Sequence, residues 1–286
     1  MKLFYYRDPG GIKNFGDDLN PWLWQRLLPG VFDADASTLF VGIGTILNDA
    51  MPKATRTVVF GSGVGYGKGI PRVDDTWKIY CLRGPLTAKA LGVSPELAVS
   101  DPAMLIGRLV NCENTNKKHR YAYMPHLRNA SQAWEEICQS IGFGYIDPRW
   151  SVDRVLAAFN QTGTLITEAM HGAIVADALR IPWIAVYTGS GILKFKWQDW
   201  CLSVGLDYAP KPLLPYWYPD DNFKAYARAR NWARKQRVKI QLAYLARTTR
   251  PSLTTTANQE RVVTELEARI DTFKQDLAAG HFASTN

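Results

Sequence analysis

The side chains here that can move protons or hold anions fall mostly where a strand gives way to a helix. His171 stands in GTLITEAMHGAIVADALRIPWIAVYT, residues 163–188. Thr164–Thr167 is rich in β-branched residues. Glu168–Arg180 has helical apolar spacing through Ile174, Val175, Ala178 and Leu179, and Trp183–Tyr187 is a second buried run after Ile181-Pro182. Strand, helix, strand puts His171 within a turn of the helix start, at the carboxyl edge of the first strand, where open parallel sheets bind ligands. An imidazole there can give or take a proton; a hydrogen-bonded core histidine is the alternative reading. Arg83 follows the strand-like WKIYCL and precedes Gly84-Pro85, so its guanidinium can fork onto phosphate or carboxylate, or form a surface ion pair. Asp17 and Asp18 open the first helix, and capping explains one of the two. His126, in MPHLRN after Tyr121–Met124, faces the same edge or is an ordinary loop histidine. The N–H groups around Ala169, Met170 and Gly172 can bind an anion where the helix begins.

These residues need a scaffold, and the pattern supplies one. Lys2–Tyr6, Thr38–Ile43, Thr57–Phe60 and Trp77–Leu82 read as strands, Asp17–Leu28 and Pro85–Leu91 as helices, and Leu97–Ser100 closes the half. Pro85 suits a first helical position and Gly92 a helix end. Asn111–Arg120 (NCENTNKKHR) is polar and uncapped and reads as a linker. Tyr121–Met124, Ser131–Ile141, Phe143–Ile146 and Val152–Asn160 then lead into the His171 stretch. The fold class is α/β, with two Rossmann-like parallel-sheet domains at 1–110 and 121–218 and a C-terminal helical extension at 219–286. In that extension Asp221–Arg247 is a basic helix and Glu260–Leu277 a mixed-charge helix that packs back on the body or serves self-association.

Composition narrows the classes. The chain has 286 residues, 47% of them hydrophobic, enough for a real core. Its net charge of +8 suits an anionic small substrate, a membrane surface or nucleic acid. Cys81, Cys112, Cys138 and Cys201 lack CxxC spacing, which argues against a zinc site or disulfide framework and for a reducing cytoplasm. No His, Asp and Glu cluster has ligand spacing, so no metal is expected. MKLFYYRDPGG is too short an apolar run for a signal peptide, and no stretch approaches about 18 consecutive apolar residues, so no membrane span is expected. Gly42-Ile43-Gly44 has Leu47 where a dinucleotide fingerprint has its third glycine. That run and Gly61–Gly67 are read as tight turns and close backbone approaches, not as an NAD site. Asp101, before Pro102, reads as a turn or cap residue.

The run EAMHGAIVADALRIPWIAV resembles the signature of the polysaccharide pyruvyl transferases. NFGDDLN at 14–20, FVGIGTIL at 40–47, VFGSGVGYG at 59–67 with CLRGPLTAKALG at 81–92, and VSDPAML at 99–105 match that family in order. One departure is Ala169, where many members carry arginine; first-turn backbone N–H groups can soften that loss. The resemblance implies a GT-B-like arrangement of the two halves and phosphoenolpyruvate as co-substrate, with no other cofactor. The product is a cyclic pyruvate ketal on a sugar of a lipid-linked exopolysaccharide repeat unit. His171 is then the general acid. A helix start disfavours a protonated imidazole when empty, and the bound donor's phosphate and carboxylate offset this. Arg83, Met170, His171 and Lys196 bind the donor; Arg83 joins His171 and Asp17 as a catalytic residue. Lys196, in KFKWQDW, matches a family lysine, with Lys194 its rival. Asp17 is a base toward the acceptor, with Glu168 its rival, and His126 contacts the acceptor.

The basic helix is either a solvated face or a contact for anionic lipid, which makes the expected location cytoplasmic, at the inner face of the membrane. Nucleic acid is not expected as a partner, because the cations lack stacking aromatics on a sheet. Two rival functions remain open on the residues: a glycosyltransferase using a nucleotide sugar, and a non-catalytic membrane-surface protein working through the basic helix.

Overall fold

The computed structural model describes residues 1–66, 69–111, 116–189, 192–216 and 225–282. Residues 67–68, 112–115, 190–191, 217–224 and 283–286, among them Gly67, the centre of the linker and the expected start of the basic helix at Asp221 with Lys224, lie outside that set.

The first half opens with β1 (Lys2–Phe4), α1 (Phe15–Leu27), β2 (Thr38–Val41), β3 (Arg56–Phe60) and β4 (Trp77–Cys81), then α2 (Pro85–Leu91). The strands form a parallel sheet in the order β1-β2-β3-β4. TLFV in β2 is buried at every position, the mark of a strand covered on both faces. Leu19, Leu23 and Trp24 of α1 cover the face carrying Phe40, Val58 and Phe60. The described strands of this sheet follow one another in a single direction, so it has no switch point of its own. Leu97–Ser100 is not a strand. A 3-10 turn at Pro95–Leu97 and a single bridge from Leu82 to Ala98 stand there, because Pro95 fixes a turn. A second 3-10 turn at Pro102–Leu105 runs into α3 (Ile106–Leu109).

The second half has β5 (His119–Met124), α4 (Gln132–Ser140), β6 (Gly144–Tyr145), α5 (Val152–Asn160), β7 (Thr162–Thr167), α6 (Met170–Ala178), β8 (Trp183–Tyr187), α7 (Lys194–Ser203) and β9 (Lys211–Pro212). Its sheet is parallel, in the order β6-β5-β7-β8-β9. The chain moves outward from β5 to β6, then crosses to the other side of β5 for β7. The switch point is therefore the carboxyl edge between β5 and β7, where such sheets open a crevice. His119 and Arg120, assigned to the linker by their polarity, belong to β5 and pair alongside β7. The His171 helix is shorter than its sequence pattern. Glu168 and Ala169 make the strand-to-helix crossing, and Arg180 takes a left-handed φ of 59° that stops the helix before Pro182.

One core joins the halves. Phe15 and Phe159 meet edge to face at 6.1 Å, and Phe15 N bonds Pro148 O. Within the basic segment, α8 (Ala225–Thr248) lays Val238, Leu242 and Leu245 on the second sheet beside Tyr123, Ile166 and Val186. α9 (Thr256–Ala278) returns to the first half. Val263, Leu266, Ile270 and Phe273 recur at helical spacing, and Phe273 packs on Phe40 and Tyr80 at 5.5 and 5.4 Å. Burying a side chain of that size stabilises by about 1.5–3 kcal/mol, so this contact fastens the end of the chain to the first sheet.

Candidate active site

Three chain segments converge at the β5/β7 switch point. Thr167 ends β7, and its hydroxyl donates to Met124 O and accepts from Ala169 N at 2.9 Å, locking the turn that launches α6. That bond occupies the Ala169 N–H, so of the backbone donors expected there, those of Met170, His171 and Gly172 remain in the first turn, ahead of the bond from Ala173 N to Ala169 O. The Met170 side chain is 3% exposed and sits in the core, so this residue offers a ligand only its backbone.

His171 Nε2 lies 3.3 Å from Asp101 Oδ2, and Asp101 Oδ1 accepts from Ala103 N at 3.0 Å. Asp101 is fully buried. It caps the 3-10 turn with one oxygen and orients the imidazole with the other, fixing the tautomer that carries hydrogen on Nε2. Nδ1 then faces the first turn of α1. A Cβ built on Gly16 would stand 2.2 Å from it, so only glycine lets the two helices approach this closely with the ring between them.

Asp17 follows on that turn. Asn14 Nδ2 donates to Asp17 Oδ2 at 2.6 Å. Burial pushes the Asp17 carboxyl above the usual range against that hydrogen bond and the nearby His171 and Lys196. Lys196 sits over the Tyr66 ring at 5.0 Å, and its charge acts on both Asp17 and His126. Lys194 is exposed on the first turn of α7. His126 caps the short turn Leu127–Asn129, its Nδ1 accepting from Arg128 N at 3.3 Å. Burial first and Lys196 second push its imidazole down to about 4, with Glu168 opposing and Arg128 adding. A neutral ring with Nδ1 engaged keeps a hydrogen on Nε2 to donate.

Glu168 is no rival to Asp17 as a free base. Its buried carboxylate accepts from Tyr123 Oη, His126 N, Asn129 Nδ2, Thr188 N and Thr188 Oγ1 at 2.7–3.2 Å. It ties the ends of β5, β7 and β8 together. Arg83 departs from its expected placement too. It is fully buried, with Nε on Asp199 Oδ2 at 3.0 Å, Nη1 on Thr45 Oγ1 at 2.6 Å and Nη2 on Val64 O at 3.2 Å. Asp199 also accepts from Thr87 N and Oγ1. A Cβ on Gly63 would lie 2.3 Å from the guanidinium. Burial pushes the Arg83 group below its ordinary value, with Asp199 and then Asp101 opposing. The fork binds α7 to α2 across the two halves; it stands behind the site as a positive charge close to Asp101 and does not present itself to a ligand.

Among the described residues no three His, Cys, Asp or Glu side chains converge as metal ligands. Nor, among them, is any helix long and apolar enough to cross a membrane.

Residues 14–190 match the model of the polysaccharide pyruvyl transferases. This chain belongs to that family. It is also 45% identical over 215 residues to the succinoglycan biosynthesis protein ExoV of Rhizobium meliloti strain 1021, covering 74% of this chain and 67% of that protein. No solved structure matches. The stretch matched by the pyruvyl transferases spans Asp17, Arg83, Asp101, His126 and His171; Lys196 lies just beyond it.

The structure thus brings together His171, Asp17, His126 and Lys196, and sets Arg83 and the Met170 side chain apart. Sequence reasoning passed over Asp101 as the partner of His171 although its motif, VSDPAML, is among the matching ones. It passed over Asp199 and Thr87 because an acidic residue and a threonine inside helices carry no local sign of a buried partner.

Proposed function

We propose that this chain transfers the pyruvyl group of phosphoenolpyruvate to a sugar of a lipid-linked exopolysaccharide repeat unit, forming a cyclic ketal and releasing inorganic phosphate. Family membership and the likeness to a succinoglycan biosynthesis protein support the class of reaction. The observation that carries the reading is the His171–Asp101 pair at the switch point, with Asp17 across the first turn of α1.

The enol CH2 of the donor takes a proton, and the adjacent carbon becomes electrophilic. A sugar hydroxyl attacks that carbon and loses its proton. The C–O bond to phosphate then breaks, phosphate leaves with the electron pair, and a second hydroxyl closes the ketal as its proton passes to the departing phosphate. Each transfer needs a positioned acid or base. Protonated on both nitrogens, the form that the donor's phosphate and carboxylate favour, His171 is held through Nε2 by Asp101 and supplies the first proton from Nδ1. Asp17, whose carboxyl burial makes more basic, receives a hydroxyl proton. Lys196 and the first-turn N–H groups of α6 hold donor charge, while the His126 Nε2–H meets the acceptor. The reaction as written requires no further cofactor. The two halves, in a GT-B-like arrangement, present donor and acceptor to each other at the inner face of the cytoplasmic membrane, where a lipid-linked glycan is made.

The test is phosphate release from phosphoenolpyruvate by purified protein, with and without a lipid-linked oligosaccharide extract, beside His171→Ala and Asp101→Asn. Release that depends on the extract and falls about 10²–10⁴-fold in both variants is expected. No release with any glycan extract, together with tight binding of a nucleotide sugar, would replace this reading with a glycosyltransferase.

A further inference from the structure

Almost all of the net charge of this chain sits on one helix. The segment AYARARNWARKQRVKIQLAYLART of α8 carries seven Lys and Arg and no Asp or Glu, whereas the whole chain has 34 and 26. The remainder is 27 against 26, close to neutral. Val238, Leu242 and Leu245 turn inward to the second sheet. The outward face should be polar on a solvated helix, and it is not. Trp232 is 65% exposed, Ile240 69% and Tyr244 63%. At spacings of eight and four residues these three share one face. Arg228, Arg230, Arg237 and Arg247 are exposed around them.

An exposed apolar and aromatic stripe rimmed by arginine is the composition of a helix lying in a bilayer interface. Trp and Tyr rings sit at headgroup depth, and the cations meet anionic lipid. The orientation suits that. Gln241 donates to Pro212 O at the end of β9 and accepts from Leu214 N just past it, at the carboxyl edge of the sheet. Ser252, past the end of α8, pairs with Trp183 at the amino edge. α8 therefore runs antiparallel to the strands, and its arginine-rich first half lies toward the edge that bears His171. Leu214 and Tyr187, also exposed, stand at that edge. A second copy of the chain is a poor occupant, because two such faces repel. A nucleic acid duplex would meet Trp232, Ile240 and Tyr244 where it needs cations.

We propose that the outer face of α8 is a docking surface for an anionic membrane, holding the carboxyl-edge crevice toward a lipid-anchored substrate. Docking is read without substrate, so it stands or falls apart from the reaction proposed above.

The experiment is co-sedimentation of the full chain with vesicles of phosphatidylcholine alone and of phosphatidylcholine with an equal part of phosphatidylglycerol, in low and high salt. The variants are Arg228→Gln with Arg237→Gln, and Trp232→Ala with Tyr244→Ala. All four positions are exposed, so thermal unfolding of both variants should match the parent. Binding is expected to the anionic vesicles only, to weaken with salt, and to fall about 30-fold on loss of the two charges. It should also fall several-fold on loss of the two rings. No partition onto anionic vesicles, or equal partition of all three proteins, overturns the proposal. So does a parent dimer abolished by the variants, or binding of duplex nucleic acid without vesicle binding.

Discussion

Replacing Asp199 by Asn tests the structural assignment of Arg83 most directly. Asp199 is fully buried and accepts from Arg83 Nε at 3.0 Å, Thr87 N at 2.9 Å and Thr87 Oγ1 at 2.6 Å. At the 3.0 Å of the Arg83–Asp199 pair, with an effective dielectric of about 20, the Coulomb attraction is about 5.5 kcal/mol. Asn preserves shape and the bond from Thr87 N, but it turns an amide N–H toward a guanidinium N–H and leaves a buried cation uncompensated. Breaking a buried pair from one side typically destabilises by about 3–5 kcal/mol, and that loss is expected here. The assay is urea unfolding of the parent, Asp199→Asn, Arg83→Met and the double variant. The double variant should lose less than the two singles summed, with a coupling of about 2 kcal/mol, because it no longer strands a charge. Phosphoenolpyruvate affinity, measured where each variant is still folded, should change little in Asp199→Asn. A stability loss below about 1 kcal/mol together with weaker donor binding would refute the reasoning. It would mean that Arg83 is free to reach the ligand and that the fork onto Asp199 is incidental.

Two other outcomes follow from the site. Gly16→Ala places a methyl 2.2 Å from His171 Nδ1 and must displace the ring; phosphate release should fall by two orders of magnitude or more, with unfolding shifted by about 1–3 kcal/mol, and a variant with parental activity would show that the imidazole need not pack on α1. For His126, an unfolded imidazole near 6.5 and a folded one pushed down to about 4 mean that the unfolded state binds more protons between those values. Stability from this residue is therefore complete above pH 6.5 and lost as pH falls toward 4, up to about 3 kcal/mol. Urea midpoints from pH 7 to 4 should drop less steeply in His126→Asn, which keeps a capping side chain, and parallel curves would reject the burial argument.

The sequence by itself determined the order of elements and the level at which the chemistry sits. Val152–Asn160 and Trp183–Tyr187 coincide with a helix and a strand, and His171 lies at the carboxyl edge of β7, because apolar periodicity and Pro or Gly punctuation act within a few residues of the chain. It likewise exposed α8 as basic. Tertiary structure alone decided partnership. Asp101 meets His171 across 70 residues and Asp199 meets Arg83 across 116. Only folding shows that Glu168 spends its carboxylate on five donors, and that Lys196 rather than Lys194 is turned to Asp17 and His126. A buried charge must be matched by whatever group the packing brings beside it, and that group leaves no mark in the residues next to it in the chain.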